Sequence, residues 1–110
     1  MSKPKIGVSM LYSLDLPFNR MVKRITTLDT QTIEILDDGT HELTPTRICT
    51  LKEVAKKHNL EYSIHAPFAD VNLASPIKPM LNASLKRVKQ SISHADSLGA
   101  KLAVIHPGAR

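Results

Sequence analysis

Cysteine and aromatic residues are scarce in this sequence. Of its 110 residues, one is cysteine (Cys49), none is tryptophan, and phenylalanine and tyrosine occur twice each. A single cysteine can form neither an internal disulfide nor a cysteine-based zinc cluster. So few aromatic rings cannot form a platform on which successive nucleic-acid bases stack. The shortages therefore exclude a disulfide-stabilised scaffold and an aromatic single-strand binding surface.

Long apolar runs are also absent. The longest are only a few residues, so no segment is long enough to cross a bilayer. The N-terminus, MSKPKIGVSM, contains lysines but no following apolar stretch of signal-peptide length. We therefore expect a cytoplasmic protein with no membrane partner.

What is present is typical of one ordinary globular domain. Hydrophobic residues make up 42% of the chain and charged residues 23%. This length supports one core, and we predict a single domain over residues 1–110. The formal net charge of +5 favours anionic partners such as phosphate esters or nucleic acid. Lysine and arginine are nevertheless spread along the predicted helices, which indicates a solvated surface for most of them.

Two hydrophobic periods alternate along the chain. Strands are predicted at residues 5–10, 31–36, 61–66 and 101–108, and helices at 15–28, 44–59 and 78–100. Asp15 and Thr44 are predicted N-caps, and Asn59 and Gly99 are predicted C-terminal residues. The apolar stripe of the last helix is predicted to be Leu81, Leu85, Val88, Ile92 and Ala95. The order βαβαβαβ implies parallel strands joined by right-handed helical crossovers.

This order fits an open doubly wound sheet or part of a (β/α)8 barrel. The turn after the first strand, MLYSLDLP, has no glycine, whereas a dinucleotide-binding sheet carries a glycine-rich turn there. Glu34, His65 and His106 lie at or near the ends of the last three strands, where a barrel builds its active site. We therefore predict an α/β fold that is half of a (β/α)8 TIM barrel. Because a closed barrel needs eight strands, we expect a missing C-terminal half or a homo-oligomer.

Histidines end two of the predicted strands in similar contexts. His65 is followed by Ala-Pro and His106 directly by proline, which turns the chain away so that a ligand or water can approach. Period-two counting places Glu34, Ser63 and His65 on one face of the sheet. A catalytic zinc takes three protein ligands and leaves one position open, and two histidines with Glu34 could supply them. The alternative is that both histidines are hydrogen-bonded packing residues, but the repeated context favours a metal site.

Other polar residues are weaker candidates. His41, in the loop DDGTHEL, would overhang the carboxyl ends of the strands and is a candidate substrate contact. Asn72 and Ser75 lie in the loop after His65 and are further candidates for substrate binding. Asp37 and Asp38 are predicted to form a turn.

Two motifs resemble the xylose-isomerase-like TIM-barrel superfamily. They are HAPFADVNLASP and LGAKLAVIHPG. The shared pattern is His, then Asn-Leu-Ala/Gly-Ser-Pro, a long helix ending in Leu-Gly-Ala, an apolar strand and His-Pro-Gly. It covers the chain from about Ile33 to Gly108. That superfamily includes sugar phosphate isomerases and epimerases and the endonuclease IV family of abasic-site nucleases.

The resemblance implies that His65 and His106 are ligands of a divalent metal, Zn or Mn/Mg, and that Glu34 is catalytic. The remaining ligands of such sites come from later strands, so residues outside this chain would complete the site. The leading hypothesis is part of a metal-dependent isomerase or epimerase that acts on a free or phosphorylated sugar. The first alternative is a zinc-dependent endonuclease acting on abasic DNA, although Phe68 stands where that branch has tyrosine. The second alternative is a non-catalytic half-barrel that serves as an assembly module.

Overall fold

In the part of the chain that the structure describes, four parallel strands form one sheet in chain order. The computed structural model describes residues 4–109, so the ends of the predicted 1–110 domain lie outside the described residues. The strands are β1 (Gly7–Ser9), β2 (Thr32–Leu36), β3 (Glu61–His65) and β4 (Ala103–Val104). The connecting helices are α1 (Phe18–Ile25), α2 (Pro45–His58) and α3 (Lys78–Leu98). The sheet order is β1-β2-β3-β4 with parallel neighbours throughout, which confirms the predicted βαβαβαβ arrangement.

One face of the sheet packs against the helices and forms the core. Ile33, Ile35 and Ile64 on this face are completely buried. They pack with residues of all three helices, among them Met21, Ile25, Ile48, Leu51 and Leu98. Tyr62 lies on the same face and donates its hydroxyl to the Leu51 carbonyl at 2.8 Å. Burial raises the pKa of Tyr62 to about 12, so its hydroxyl stays protonated.

The opposite face carries smaller and more polar side chains. The strand register aligns Ser9 with Glu34 and Ser63 in one row, and Leu36 with His65 and Val104 in the next. Of these residues, only Leu36 is fully buried. Rows of side chains from successive strands fill the interior of a TIM barrel. The face that carries His65 is therefore the interior face of the half-barrel.

Local capping signals placed most helix ends correctly. The Thr44 hydroxyl accepts a hydrogen bond from the Arg47 amide at 3.2 Å and caps the start of α2. Asn59 and Gly99 adopt left-handed conformations, with φ of 54° and 75°, and end α2 and α3. The predictions for these three residues are confirmed.

The start of α1 differs from the prediction. Asp15 is not its N-cap, because the helix begins at Phe18 with no side-chain cap. The residues before Asp15 form a 3-10 turn, Met10–Ser13, whose beginning is fixed by a hydrogen bond from the Leu11 amide to the Ser9 hydroxyl. With this turn in place, the N-cap position lies at Pro17, two residues further along the chain than predicted.

The longest helix, α3, buries only part of the predicted stripe: Val88 and Ala95 face the core as predicted, but Leu85 and Ile92 do not. Its buried residues are Ser84, Val88, Ser91, Ala95 and Leu98. Leu85 and Ile92 are 38% and 46% exposed, so the prediction that they face this core is wrong. Leu85 and Ile92 form a second apolar stripe on the exposed side of α3. The core-facing positions next to them are occupied by the small residues Ser84 and Ser91. No helix among the described residues is long and apolar enough to cross a membrane.

The last strand is much shorter than predicted. Only Ala103 and Val104 pair with β3, although residues 101–108 were expected to be extended. All residues from 101 to 109 are exposed. Within the described part of the chain β4 has a neighbour on one side only, and strands at a sheet edge are often short.

Candidate functional site

Two histidine rings meet beyond the carboxyl ends of β3 and β4. His65 is the last residue of β3, and His106 lies two residues beyond β4. Their Nε2 atoms are 2.9 Å apart and their ring centroids 4.8 Å apart. Because His65 pairs with Val104, His106 falls on the same interior face two residues later. The structure therefore brings together the two residues that were predicted as metal ligands.

The His65 ring is oriented by a neighbouring backbone carbonyl. Its Nδ1 lies 2.8 Å from the Ala66 oxygen, so Nδ1 carries a proton and donates it. In the neutral ring Nε2 then has a free lone pair, which faces His106. Proteins commonly fix the tautomer of a metal-binding histidine by such a second hydrogen bond. The His106 Nε2 atom can either donate a proton to this lone pair or share a cation with it.

The chemistry of these two donors fits a divalent metal. Two zinc–nitrogen bonds at a tetrahedral angle would separate their nitrogen atoms by roughly 3.3 Å. The separation of 2.9 Å between the two Nε2 atoms is close to that value. Between residues 4 and 109 no group of three or more His, Cys, Asp or Glu could hold a metal ion. The described residues thus offer two ligands, one fewer than a catalytic zinc site requires.

Phe68 packs against both histidine rings. It stacks on His106 at a centroid distance of 5.7 Å and meets the edge of His65 at 5.2 Å. Phe68 is 40% exposed. Together with Val71 and Pro107 it lines a shallow pocket. Phe68 was not predicted as a site residue. The available signal was an aromatic residue three positions after a strand-end histidine.

Asn72 holds the segment that follows His106. Its amide group donates to the Ala109 carbonyl and accepts from the Ala109 N–H at 3.0 Å. Gly108 has φ of +88°, and a side chain there would overlap the Asn72 oxygen. We refer to the paired Asn72 and Ala109 as the Asn72 clamp. Asn72 was predicted to bind substrate, and that role stays a prediction.

Ser75 and His41 have local partners. The Ser75 hydroxyl accepts a hydrogen bond from the Ile77 amide at 3.2 Å just before α3. His41 is completely buried, donates from Nε2 to the Leu16 carbonyl at 2.7 Å and packs edge-on against Phe18. The loop around His41 therefore folds inward instead of overhanging the strands. Substrate contact by either residue stays a prediction, and burial gives His41 a packing role.

Glu34 faces the barrel interior one row below the histidine pair. Its carboxylate accepts a hydrogen bond from the Ser9 hydroxyl, and it pairs in register with Ser63. It lies two residues before Leu36, the partner of His65, and is therefore about 7 Å further from the strand ends at 3.3 Å per residue. The catalytic role of Glu34 stays a prediction.

Asp37 forms a buried ion pair behind the site. Its carboxylate accepts hydrogen bonds from Arg87 at 2.8 and 3.2 Å and from the Leu43 amide at 2.8 Å. Burial alone would raise the pKa of Asp37, but the hydrogen bonds from Arg87 and Leu43 outweigh it and hold the pKa below its usual value. His94 Nδ1 lies 3.6 Å from the same carboxylate. This ion pair was not predicted. The available clue in the sequence was Arg87, which directly precedes Val88 in the predicted apolar stripe of the last helix.

The two acidic residues after β2 bind the end of β3 and the segment that follows it. The Asp37 amide donates to the His65 carbonyl at 3.0 Å. One Asp38 oxygen accepts from the Gly39 amide at 2.9 Å, as expected of a turn former. The other accepts from the amides of Phe68 and Ala69 at 2.9 and 3.1 Å. The predicted turn therefore also connects two neighbouring loops.

Comparison with known proteins gives the family. A family model described as a xylose isomerase-like TIM barrel matches residues 22–110. The chain belongs to this family. The matched region contains both histidines and both motifs on which the resemblance depended, so the predicted resemblance is confirmed.

Two similar proteins come from Methanocaldococcus jannaschii. The uncharacterized protein MJ1311 is 32% identical over 104 residues, which are 94% of this chain and 36% of that protein. The uncharacterized protein MJ1614 is 38% identical over 56 residues, which are 51% of this chain and 22% of that protein. The chain thus spans about a third or less of these relatives.

Two solved structures share the fold. A D-tagatose 3-epimerase-like protein superimposes with a TM-score of 0.86 at 31% identity over 96% of this chain and 38% of its own. The TTHB071 protein from Thermus thermophilus, in a structure described as soaked with ZnCl2, gives a TM-score of 0.71 at 22% identity. That match covers 96% of this chain and 40% of the other and indicates the fold alone. The prediction of half a (β/α)8 barrel is confirmed.

Proposed function

We propose that this chain supplies part of the active site of a divalent-metal-dependent isomerase or epimerase acting on a free or phosphorylated sugar. The main observation behind this proposal is the 2.9 Å separation of the His65 and His106 Nε2 atoms. They meet at the carboxyl ends of parallel strands, the position of active sites in TIM barrels. The similarity to a D-tagatose 3-epimerase-like protein supports sugar epimerisation as the reaction class.

The interior face provides groups suited to this chemistry. A divalent metal held by His65 and His106 would polarise the carbonyl and hydroxyl oxygens of the sugar. Glu34 would accept the proton from the carbon next to the carbonyl. Protonation of the same carbon on its opposite face by a second acid, from the part of the barrel outside this chain, would give the epimer, and return of the proton by Glu34 to the adjacent carbon would give the isomer. The Ser9 hydroxyl orients the Glu34 carboxylate. Phe68 covers one side of the histidine pair and limits the access of water there.

The remaining parts of this site would come from further βα units. Two nitrogen ligands are too few for a catalytic metal, and the similar structures are about two and a half times as long as the matched region. The open edge of β4 and the exposed stripe of Leu85 and Ile92 are surfaces that neighbouring units cover in a closed barrel. We propose that a C-terminal half or a second copy covers them, in a cytoplasmic protein.

Metal binding by the histidine pair is the first test. The purified chain is titrated with ZnCl2 and MnCl2, and binding is followed by calorimetry and by NMR shifts of the histidine ring protons. We expect binding by the wild-type chain and its loss in the His65→Ala/His106→Ala double variant. His58→Ala is the matched control, because His58 is exposed at the end of α2. A folded wild-type chain that binds neither ion, alone or in the assembled barrel, would contradict the proposal.

The reaction class is tested on the assembled barrel. We expect metal-dependent conversion of D-tagatose or another ketohexose, free or phosphorylated, to its epimer, measured by chromatography. Cleavage of a duplex that contains an abasic site, with no change in the sugars, would instead identify a nuclease. Metal binding with neither reaction would favour the non-catalytic assembly module.

A further inference from the structure

The two carboxylate oxygens of Asp38 bind two separate segments of the chain. One accepts the Gly39 amide and begins the 3-10 turn Gly39–His41. The other accepts the amides of Phe68 and Ala69, which lie 30 and 31 residues further along the chain. Hydrogen bonds to an ionised carboxylate are roughly twice as strong as bonds between neutral groups. A turn needs only the first oxygen, so the second has another role.

The second oxygen fixes the far end of a very short segment. Only Ala66 and Pro67 separate His65 from Phe68, and both are buried. At the near end, the His65 carbonyl accepts the Asp37 amide at 3.0 Å, and the Ala66 amide donates to β4 at 2.9 Å. Pro67 has a fixed φ and little remaining freedom. With Asp38 bound at Phe68, the segment is held at both ends.

The position of Phe68 restricts the orientation of both histidine rings. Its ring contacts His65 edge-on and His106 face-on, at centroid distances of 5.2 and 5.7 Å. A shift of Phe68 would remove the packing contact that restricts both rings, leaving His65 with its hydrogen bond to the Ala66 carbonyl and His106 free to rotate about its side-chain bonds. The Nε2 atoms would then no longer be held 2.9 Å apart.

We propose that Asp38 is a positioning residue for the histidine pair. Through the amides of Phe68 and Ala69, its carboxylate holds the Phe68 ring against His65 and His106 and keeps the two Nε2 atoms facing each other. The consequence for metal affinity rests on the proposed function. The consequence for the packing of the three rings does not, because it requires no metal.

Two substitutions separate the roles of the carboxylate. Asp38→Asn keeps the size of the side chain and one acceptor oxygen, but places an NH2 group where the second acceptor stood. Asp38→Ser keeps a short capping group that cannot reach the segment after β3. Thr44→Ala is the control for stability, because it removes the cap of α2 at Arg47 and leaves that segment untouched. Asp70→Asn is the control for charge, since Asp70 is exposed in the loop after β3 that contains Phe68 and Ala69.

The variants are compared by two NMR measurements. Titration with ZnCl2 should show a Kd raised up to about tenfold in both Asp38 variants, the lower end of the effect of losing a direct partner of a metal ligand, because Asp38 acts on the histidines only through Phe68. In the metal-free chain, nuclear Overhauser effects between the Phe68 ring and the rings of His65 and His106 should be lost in the same variants. Both readouts should stay at wild-type values in Thr44→Ala and Asp70→Asn, even where Thr44→Ala lowers Tm equally.

The outcomes distinguish the two proposals. Unchanged ring contacts and an unchanged Kd in Asp38→Asn would overturn the positioning role while leaving the metal site intact. An equal loss in Thr44→Ala would show that both readouts follow stability, which would also overturn the positioning role. If the wild-type chain binds no Zn²⁺ either alone or in the assembled barrel, the proposed function fails, and the ring contacts alone decide the role of Asp38.

Discussion

His65 and His106 occupy equivalent ends of neighbouring strands but are supported in different ways. His65 ends a five-residue strand with a partner on each side. His106 follows a two-residue strand whose surroundings, residues 101–109, are all exposed. The segment after His106 is held by the Asn72 clamp. One half of the pair is thus built on the core, and the other depends on a side-chain amide.

The contrast is strongest in the residues next to the two histidines. Ile64, beside His65, is completely buried, whereas Ile105, beside His106, is 41% exposed. A buried central strand opens only with most of the protein, but an exposed edge can open locally. Perturbing the His65 side should therefore reduce global stability. Perturbing the His106 side should mainly change local order.

The largest effect is expected from the ion pair behind His65. Arg87→Ala leaves the buried Asp37 carboxylate without its cation and should lower the free energy of unfolding by about 3–5 kcal/mol. The Asp37 amide binds the His65 carbonyl, so the segment around His65 should loosen as well. The measurement is equilibrium unfolding in urea.

Lys86→Ala provides the matched control for this ion pair. Lys86 is exposed on the same helix, so its removal should change the free energy of unfolding by less than about 0.5 kcal/mol. If Arg87→Ala were as mild as Lys86→Ala, the ion pair would not anchor the His65 side.

The sequence was sufficient to predict the order of strands and helices and the meeting of the two histidines. Strand-end position is a local property, and parallel strands bring their carboxyl ends to one edge of the sheet. His65 and His106 could therefore be placed together without knowledge of any long-range contact. The capping residues Thr44 and Asn59 were predictable for the same reason, because their partners are a few residues away.

The support around the histidines could not be predicted, because it depends on contacts between distant residues. Asp37 meets Arg87 50 residues later, and Asp38 meets Phe68 30 residues later. No local period indicates which acid pairs with which donor. Periodicity also failed for Leu85 and Ile92, because an apolar stripe shows that a face can be covered but not by which element.

The next largest effect should separate the two strands directly. Ile64→Ala removes a fully buried side chain and should cost about 2–5 kcal/mol, because the core around it cannot close the cavity completely. Ile105→Ala removes a side chain that is 41% exposed, and so less contact area, and should cost less than about 1 kcal/mol. Both free energies are measured by urea unfolding.

Equal losses from these two substitutions would contradict the comparison. They would indicate that Ile105 is covered in solution by another chain or by a second copy. Measurement of the solution mass at the same concentration would then identify a self-associated form. A monomer with unequal losses would support an open β4 edge.

Disrupting the Asn72 clamp should have the smallest effect on the free energy of unfolding, because its consequences should be confined to the residues around His106. Gly108→Ala places a methyl group against the Asn72 oxygen at a residue with φ of +88°, so the clamp must open. The strain should cost about 1 kcal/mol of local stability, since alanine is disfavoured at positive φ. Gly99→Ala is the control, because it has φ of 75° but no atom within 4 Å of the added methyl group. Amide hydrogen exchange should accelerate over residues 104–109 in Gly108→Ala and not in Gly99→Ala, with little change in the urea midpoint of Gly108→Ala. Equal exchange at these residues in both variants would show that His106 is held in place without the clamp. The proposed difference between the support of His65 and that of His106 would then be wrong.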